Sequence, residues 1–132
     1  MTVLGARRRL RAVAKTILVV EDDASMRDWI SLHLKNAGYT VRGVANGLAA
    51  AGACLQAKPD LIISDLHMPG MGGFDMLKIL NSEAGLSNIP VIFLTVDANR
   101  KERSSQLGAV DYLTKPIEPK ALIAAVGKHL PS

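Results

Sequence analysis

Apolar and polar positions along the chain follow two rhythms. Ile17–Val20, Leu61–Ile63 and Pro90–Leu94 are short apolar runs of strand length, and they end in Glu21, Asp65 and Thr95 soon after. Such unbroken runs predict strands buried on both faces. Between them, apolar residues recur every three or four positions, as along one side of a helix. Met26, Trp29, Ile30 and Leu34 form the first stripe, with Asp23 or Ser25 as its cap and Gly38 as its stop. Residues 39–45 predict a second strand, closed by the turn pair Asn46-Gly47. Residues 48–57 predict a short helix of small side chains with Leu48 and Leu55, weakened by Gly52. Pro59 opens the strand that ends in Asp65, and residues 74–81 predict a helix with Met76, Leu77 and Leu80 on or near one face. Residues 97–107 predict a markedly polar helix ending at Gly108, and residues 109–114 a last strand. Pro119 to Leu130 predicts a closing helix with Leu122, Ile123, Val126 and Leu130 inward and Pro119 in its first turn.

Five rounds of strand then helix predict an α/β fold, a doubly wound five-stranded parallel sheet covered on both faces. Right-handed crossovers suit the strand order 2-1-3-4-5. The chain has 132 residues, enough for one domain with a real core. Aromatic residues are 4%, so aliphatic side chains must build that core.

Charge divides the chain. Arg7, Arg8, Arg9, Arg11 and Lys15 put five positive charges in residues 1–15, whereas the other 117 residues carry 11 basic and 12 acidic side chains. Residues 1–15 therefore read as a basic N-terminal extension, and 16–132 as the folded domain. The extension could contact nucleic acid or an anionic membrane surface, but a solvated flexible tail is the simpler reading. It lacks the continuous apolar core of a secretory signal. No apolar run approaches the length of a membrane span, so no membrane insertion is expected. The single cysteine, Cys54, excludes an internal disulfide and suits a reducing, cytoplasmic setting.

The candidate chemistry lies where the strands end. Glu21, Asp22 and Asp23 follow the first strand, Asp65 the third, Thr95 the fourth and Lys115 the fifth. In a parallel sheet all these ends share one edge, and in this order strands one and three are neighbours at the switch point where ligands bind. Clustered carboxylates repel unless a cation intervenes. An all-oxygen set suits Mg²⁺, which accepts one or two carboxylates plus water and phosphate oxygens. With Lys115 as a positive charge and Thr95 as a hydroxyl donor, the set fits a transferring phosphoryl group, with Asp65 as nucleophile. Each residue alone has an ordinary reading: Asp65 a loop or cap acid, Lys115-Pro116 a turn, Thr95 an N-cap. Four strand ends bearing complementary groups outweigh those readings together.

The segments Val-Val-Glu-Asp-Asp (19–23), Ser-Asp-Leu-His-Met-Pro-Gly-Met-Gly-Gly (64–73), Leu-Thr (94–95) and Asp-Tyr-Leu-Thr-Lys-Pro (111–116) occur in one order and spacing. In these, residues 16–130 resemble the receiver domain of two-component response regulators, a flavodoxin-like fold. The resemblance implies that Asp65 is the phosphoacceptor, that Asp22 binds Mg²⁺ directly and that Glu21 acts through water. His67 stands where the backbone carbonyl binds the metal. Thr95 matches the switch hydroxyl, Lys115 the lysine that pairs with the phosphoryl group, and the Lys115–Pro116 bond is expected to be cis. Tyr112 matches an aromatic that moves inward on activation, although by itself it reads as a packing residue. Implied partners are a sensor histidine kinase or histidine phosphotransfer protein. A downstream protein would meet the face made by the polar helix, the last strand and the last helix.

Val96 departs from the small residue frequent after the switch hydroxyl, and its extra methyls are expected to narrow access to Asp65. Ile117 replaces a common phenylalanine, with an effect on packing only. His67 and Asp97, two residues beyond Asp65 and Thr95, are expected to tune the lifetime of the phosphate. The domain is expected to catalyse its own phosphorylation and dephosphorylation while acting in signalling, not as an enzyme. Two other classes compete. A Mg²⁺-dependent aspartyl phosphatase wants an acid at position 67, which is histidine here. A receiver-like module could also bind partners without phosphorylation.

Overall fold

A computed structural model of the chain describes residues 14–68, 70–96 and 108–130. The elements are β1 (Thr16–Val20), α1 (Ala24–Asn36), β2 (Thr40–Val44), α2 (Gly47–Gln56) and β3 (Leu61–Asp65). They continue with α3 (Gly73–Ser82), β4 (Val91–Thr95), β5 (Asp111–Thr114) and α4 (Pro119–His129). All five strands pair in parallel in the order β2-β1-β3-β4-β5. The polar helix read at 97–107 and most of the basic extension lie outside the described residues.

The three central strands β1, β3 and β4 are apolar on both faces because helices cover both. Leu18, Val20, Ile62, Val91 and Phe93 meet Ala50 and Cys54 of α2 and Met76, Leu77 and Leu80 of α3. Ile17, Val19, Leu61, Ile63, Ile92 and Leu94 meet Ile30 and Leu34 of α1 and Leu122, Ala125 and Val126 of α4. Burying each such side chain contributes about 1.5–3 kcal/mol, so the two aliphatic layers fix the three central strands. No helix among the described residues is long and apolar enough to cross a membrane.

The helix ends follow local chemistry. Asp23 caps α1 by accepting from the Met26 N–H at 3.1 Å, and Gly38 takes a φ of 101° just past its end. Asn46 and Gly47 do not form the expected closing turn. Asn46 caps α2 through the Ala49 N–H at 2.8 Å, and Gly47 is the first helical residue. The helix turns Gly47, Ala50 and Cys54 inward, so small residues let it lie close to the sheet and Leu48 and Leu55 face outward.

Candidate functional site

Register sets the geometry of the C-terminal sheet edge. Val20 of β1 is level with Ser64 of β3, so Glu21 and Asp65 leave the sheet side by side. Asp65 is level with Leu94, and Thr95 with Thr114, which brings Thr95 and Lys115 to the same rim. The exits are tied together by backbone bonds: Glu21 N–H to the Val44 carbonyl at 3.0 Å, Leu66 N–H to Leu94 at 2.9 Å, and Lys115 N–H to Thr95 at 2.7 Å. Glu21, Asp65 and Thr95 are buried, and Asp22 is exposed.

Asp65 is gripped on both oxygens. Lys115 Nζ stands 3.0 Å from Oδ2, and the His67 N–H donates to Oδ1 at 3.2 Å. Thus His67 touches Asp65 through its backbone, and its ring is exposed. Lys115 also donates to Glu21 Oε1 at 3.2 Å. Burial lowers the affinity of the Lys115 amine for its proton. The hydrogen bonds and charges of Asp65 and Glu21 outweigh that and hold its pKa above the ordinary value. The loop after β3 is shaped by Gly73, where a Cβ would stand 2.7 Å from Phe93 Cε1 and 3.0 Å from the Asp65 carbonyl oxygen. A side chain there would push on the strand end that carries Asp65. Lys115–Pro116 is cis, as the resemblance implies.

The acids fit a divalent cation. Glu21, Asp22 and Asp65 each offer an oxygen, all within 4.8 Å of one another. Glu21 Oε2 is buried with no hydrogen-bond partner among the described residues. Burial, then the neighbouring Asp65, push the Glu21 pKa from 4.5 up to about 7 against the pull of Lys115. A buried, unsatisfied oxygen beside two further carboxylates is a hard-cation environment.

Two groups were missed in the sequence. Ser64 Oγ donates to the Asp65 carbonyl at 2.9 Å inside the core, and nothing in an apolar run with one serine signals this. Arg27 Nη1 donates to the Glu21 carbonyl at 2.8 Å, and its stem lies over Gly43. A glycine inside a predicted strand was the available sign of a close approach. Asp97 lies outside the described residues. Tyr112 is half-buried against the layer that holds Phe93, and Val96 is exposed.

Comparison with known proteins agrees with this geometry. Residues 17–127 match the response regulator receiver domain. The chain is 34% identical over 116 residues to the DNA-binding response regulator MtrA of Mycobacterium tuberculosis, covering 86% of this chain and 50% of MtrA. It thus spans about half the length of the curated relatives it matches. The chemotaxis response regulator CheY4 of Vibrio cholerae superposes with a TM-score of 0.85 at 32% identity, over 89% of this chain and 100% of that one. The receiver domain of sensor histidine kinase PA1611 from Pseudomonas aeruginosa, solved with magnesium in its active-site cleft, gives 0.83 at 28% identity. That match covers 91% of this chain and 100% of that one. The chain belongs to the response regulator receiver domain family of two-component signalling.

Proposed function

We propose that Asp65 accepts a phosphoryl group from a phosphohistidine on a sensor histidine kinase or histidine phosphotransfer protein. The observation that carries this reading is the Lys115 ammonium 3.0 Å from Asp65 Oδ2 within a three-carboxylate cluster. An Asp65 oxygen attacks phosphorus, the P–N bond to the donor imidazole breaks, and its electron pair stays on nitrogen. The product is an acyl phosphate. Lys115 offsets the charge that gathers on the phosphoryl oxygens, and Thr95 supplies a hydroxyl donor. Asp22, Asp65, the His67 carbonyl and, through water, Glu21 would hold Mg²⁺, which supplies Lewis-acid charge at those oxygens.

Residues 16–132 form the receiver in this reading and residues 1–15 an extension. The phosphoryl group biases a two-state equilibrium of Thr95 and Tyr112, read by a downstream partner on the face of β5 and α4. His67, Val96 and Asp97 tune hydrolysis. A cavity of about 310 Å³ between Asp23, Met26 and Trp29 at the α1 start and Pro116-Ile117 lies next in sequence to Asp22 and Lys115. The domain catalyses its own phosphoryl gain and loss and works as a switch.

The test is incubation with MgCl₂ and acetyl phosphate. One hydroxylamine-labile phosphate per chain, absent in Asp65→Asn, is expected. Sustained phosphate release without a stable adduct would favour the phosphatase, and no adduct at all the phosphorylation-independent module.

A further inference from the structure

Glu21 and Asp22 occupy the short passage from β1 into α1, and the backbone there is held from two sides. The Glu21 N–H donates to the Val44 carbonyl of β2 at 3.0 Å. The Glu21 carbonyl, which belongs to the peptide joining Glu21 to Asp22, accepts from Arg27 Nη1 at 2.8 Å. Arg27 is itself fixed in the first turn of α1, where its N–H donates to the Asp23 carbonyl at 2.9 Å. Displacement of that one peptide would shift the two Cα atoms that carry the carboxylates, and a charge-assisted hydrogen bond to its oxygen resists displacement.

The guanidinium reaches this oxygen because its stem crosses β2 at Gly43. A Cβ at Gly43 would stand 3.2 Å from Arg27 Cδ and 3.3 Å from Cγ. Gly43 has no positive φ, so its backbone does not demand glycine. Glycine inside a strand is otherwise unfavourable, and the crossing of Arg27 explains it.

We propose that Arg27, seated on Gly43, is a positioning residue for the divalent-cation site, fixing the Glu21–Asp22 peptide so that both carboxylates face Asp65. The inference rests on the Mg²⁺ reading above. Arg27 touches neither the cation nor the phosphoryl group in this role. It acts through a backbone carbonyl, and Gly43 acts through Arg27.

The sign of the effect separates three roles. If Arg27 acted only as a nearby positive charge, removing it would tighten cation binding. If it only supported the fold, its loss would lower the melting temperature and leave the Mg²⁺ dissociation constant unchanged. Positioning requires weaker binding despite the loss of a repelling charge.

The experiment is calorimetric titration of the full chain with MgCl₂, alongside melting in EDTA. The chains compared are wild type, Arg27→Met, Arg27→Lys, Gly43→Val and the double variant Arg27→Met/Gly43→Val. Loss of an outer-shell partner weakens metal binding by about 10-fold or more, so Arg27→Met should bind Mg²⁺ about 10-fold more weakly. Arg27→Lys, which keeps a cationic donor, should recover part of this. Gly43→Val should weaken binding while Arg27 is present and add nothing once Arg27 is gone. Gly43 is exposed on an edge strand, where valine suits the backbone, so Gly43→Val carries the test if Arg27→Met does not fold. Equal or tighter binding by both single variants overturns the proposal, and so does independent, additive weakening in the double variant. Absence of Mg²⁺ binding by the wild type overturns the cation reading and this inference with it.

Discussion

Replacing Glu21 by glutamine is expected to stabilise the metal-free protein at neutral pH. The Glu21 carboxyl titrates near 7 because burial, and next the Asp65 carboxylate, disfavour its charge more than Lys115 favours it. A folded pKa above the unfolded 4.5 means that the folded chain binds the proton more tightly. Between about 4.5 and 7 the folded state therefore holds more protons than the unfolded state, and stability falls as pH rises. The contribution is fully present below 4.5 and lost once pH passes the folded value. Converting the displacement at 1.36 kcal/mol per pKa unit gives a loss of about 3 kcal/mol.

Glutamine removes the ionisation and keeps an oxygen that can accept from Lys115, while its amide can donate to Asp65. Recovery of about 1–3 kcal/mol follows, or up to about 10 °C in melting temperature for a chain of this size. The assay is calorimetric melting of wild type and Glu21→Gln in EDTA at pH 5 and pH 8. The difference between the two proteins should be small at pH 5 and several degrees at pH 8. Histidines common to both cancel in that difference. MgCl₂ at pH 8 should raise the wild type more than the variant. A difference that is the same at both pH values, or a variant less stable at pH 8, refutes the reasoning.

Other outcomes follow from individual contacts. Gly73→Ala places a methyl against Phe93 and the Asp65 carbonyl, and overpacking of this kind costs about 1–3 kcal/mol; an unchanged urea midpoint contradicts it. Cys54 is buried and its thiol pKa is raised, first by burial and against a smaller pull from Arg42. Less thiolate and no access mean slow reaction with an aromatic disulfide reagent in the folded state and full reaction in urea; rapid native labelling counts against it. Val96→Ala should speed both gain and loss of phosphate from acetyl phosphate, and rates equal to wild type reject a gating role for those methyls.

Much of this fold is legible in the sequence because its three central strands are buried on both faces. Ile17–Val20, Leu61–Ile63 and Val91–Leu94 show no alternation, which only a sheet covered twice tolerates. The stripes Ile30 and Leu34, Met76, Leu77 and Leu80, and Leu122 and Val126 all face the core as their spacing requires. The spacing of α2 is less telling, since its buried residues are glycine, alanine and cysteine and its two leucines point outward. Small inward residues carry little hydrophobic signal. The acids, Thr95 and Lys115 are legible because parallel topology sends every strand end to one rim. Arg27 and Ser64 are not, because each bonds to a main-chain carbonyl. A sequence displays which side chains are present, and a carbonyl's direction emerges only with the backbone.

The three acids share a rim without sharing an environment, and Lys115 is the reason. Its ammonium takes Glu21 Oε1 and Asp65 Oδ2, while the His67 N–H takes Asp65 Oδ1. Glu21, Asp22 and Asp65 still each offer an oxygen within 4.8 Å of the others, and Glu21 Oε2 is buried with no hydrogen-bond partner among the described residues. The acids thus have Lys115 as one cationic partner and keep oxygen for a second. If Asp65 is the phosphoacceptor, its single carboxylate charge would be replaced by about two charges and three strong acceptors on the phosphoryl group. The oxygen that Lys115 holds would become an acyl oxygen, and the ammonium would be better satisfied by the phosphoryl oxygens. Lys115 directly follows β5, and its backbone N–H is bonded to Thr95. Any movement of its side chain toward new acceptors is therefore anchored to the same rim that carries Thr95, three residues past Tyr112. In that reading, chemistry at Asp65 would reach the surface near Tyr112 through one lysine and one backbone bond between β5 and β4.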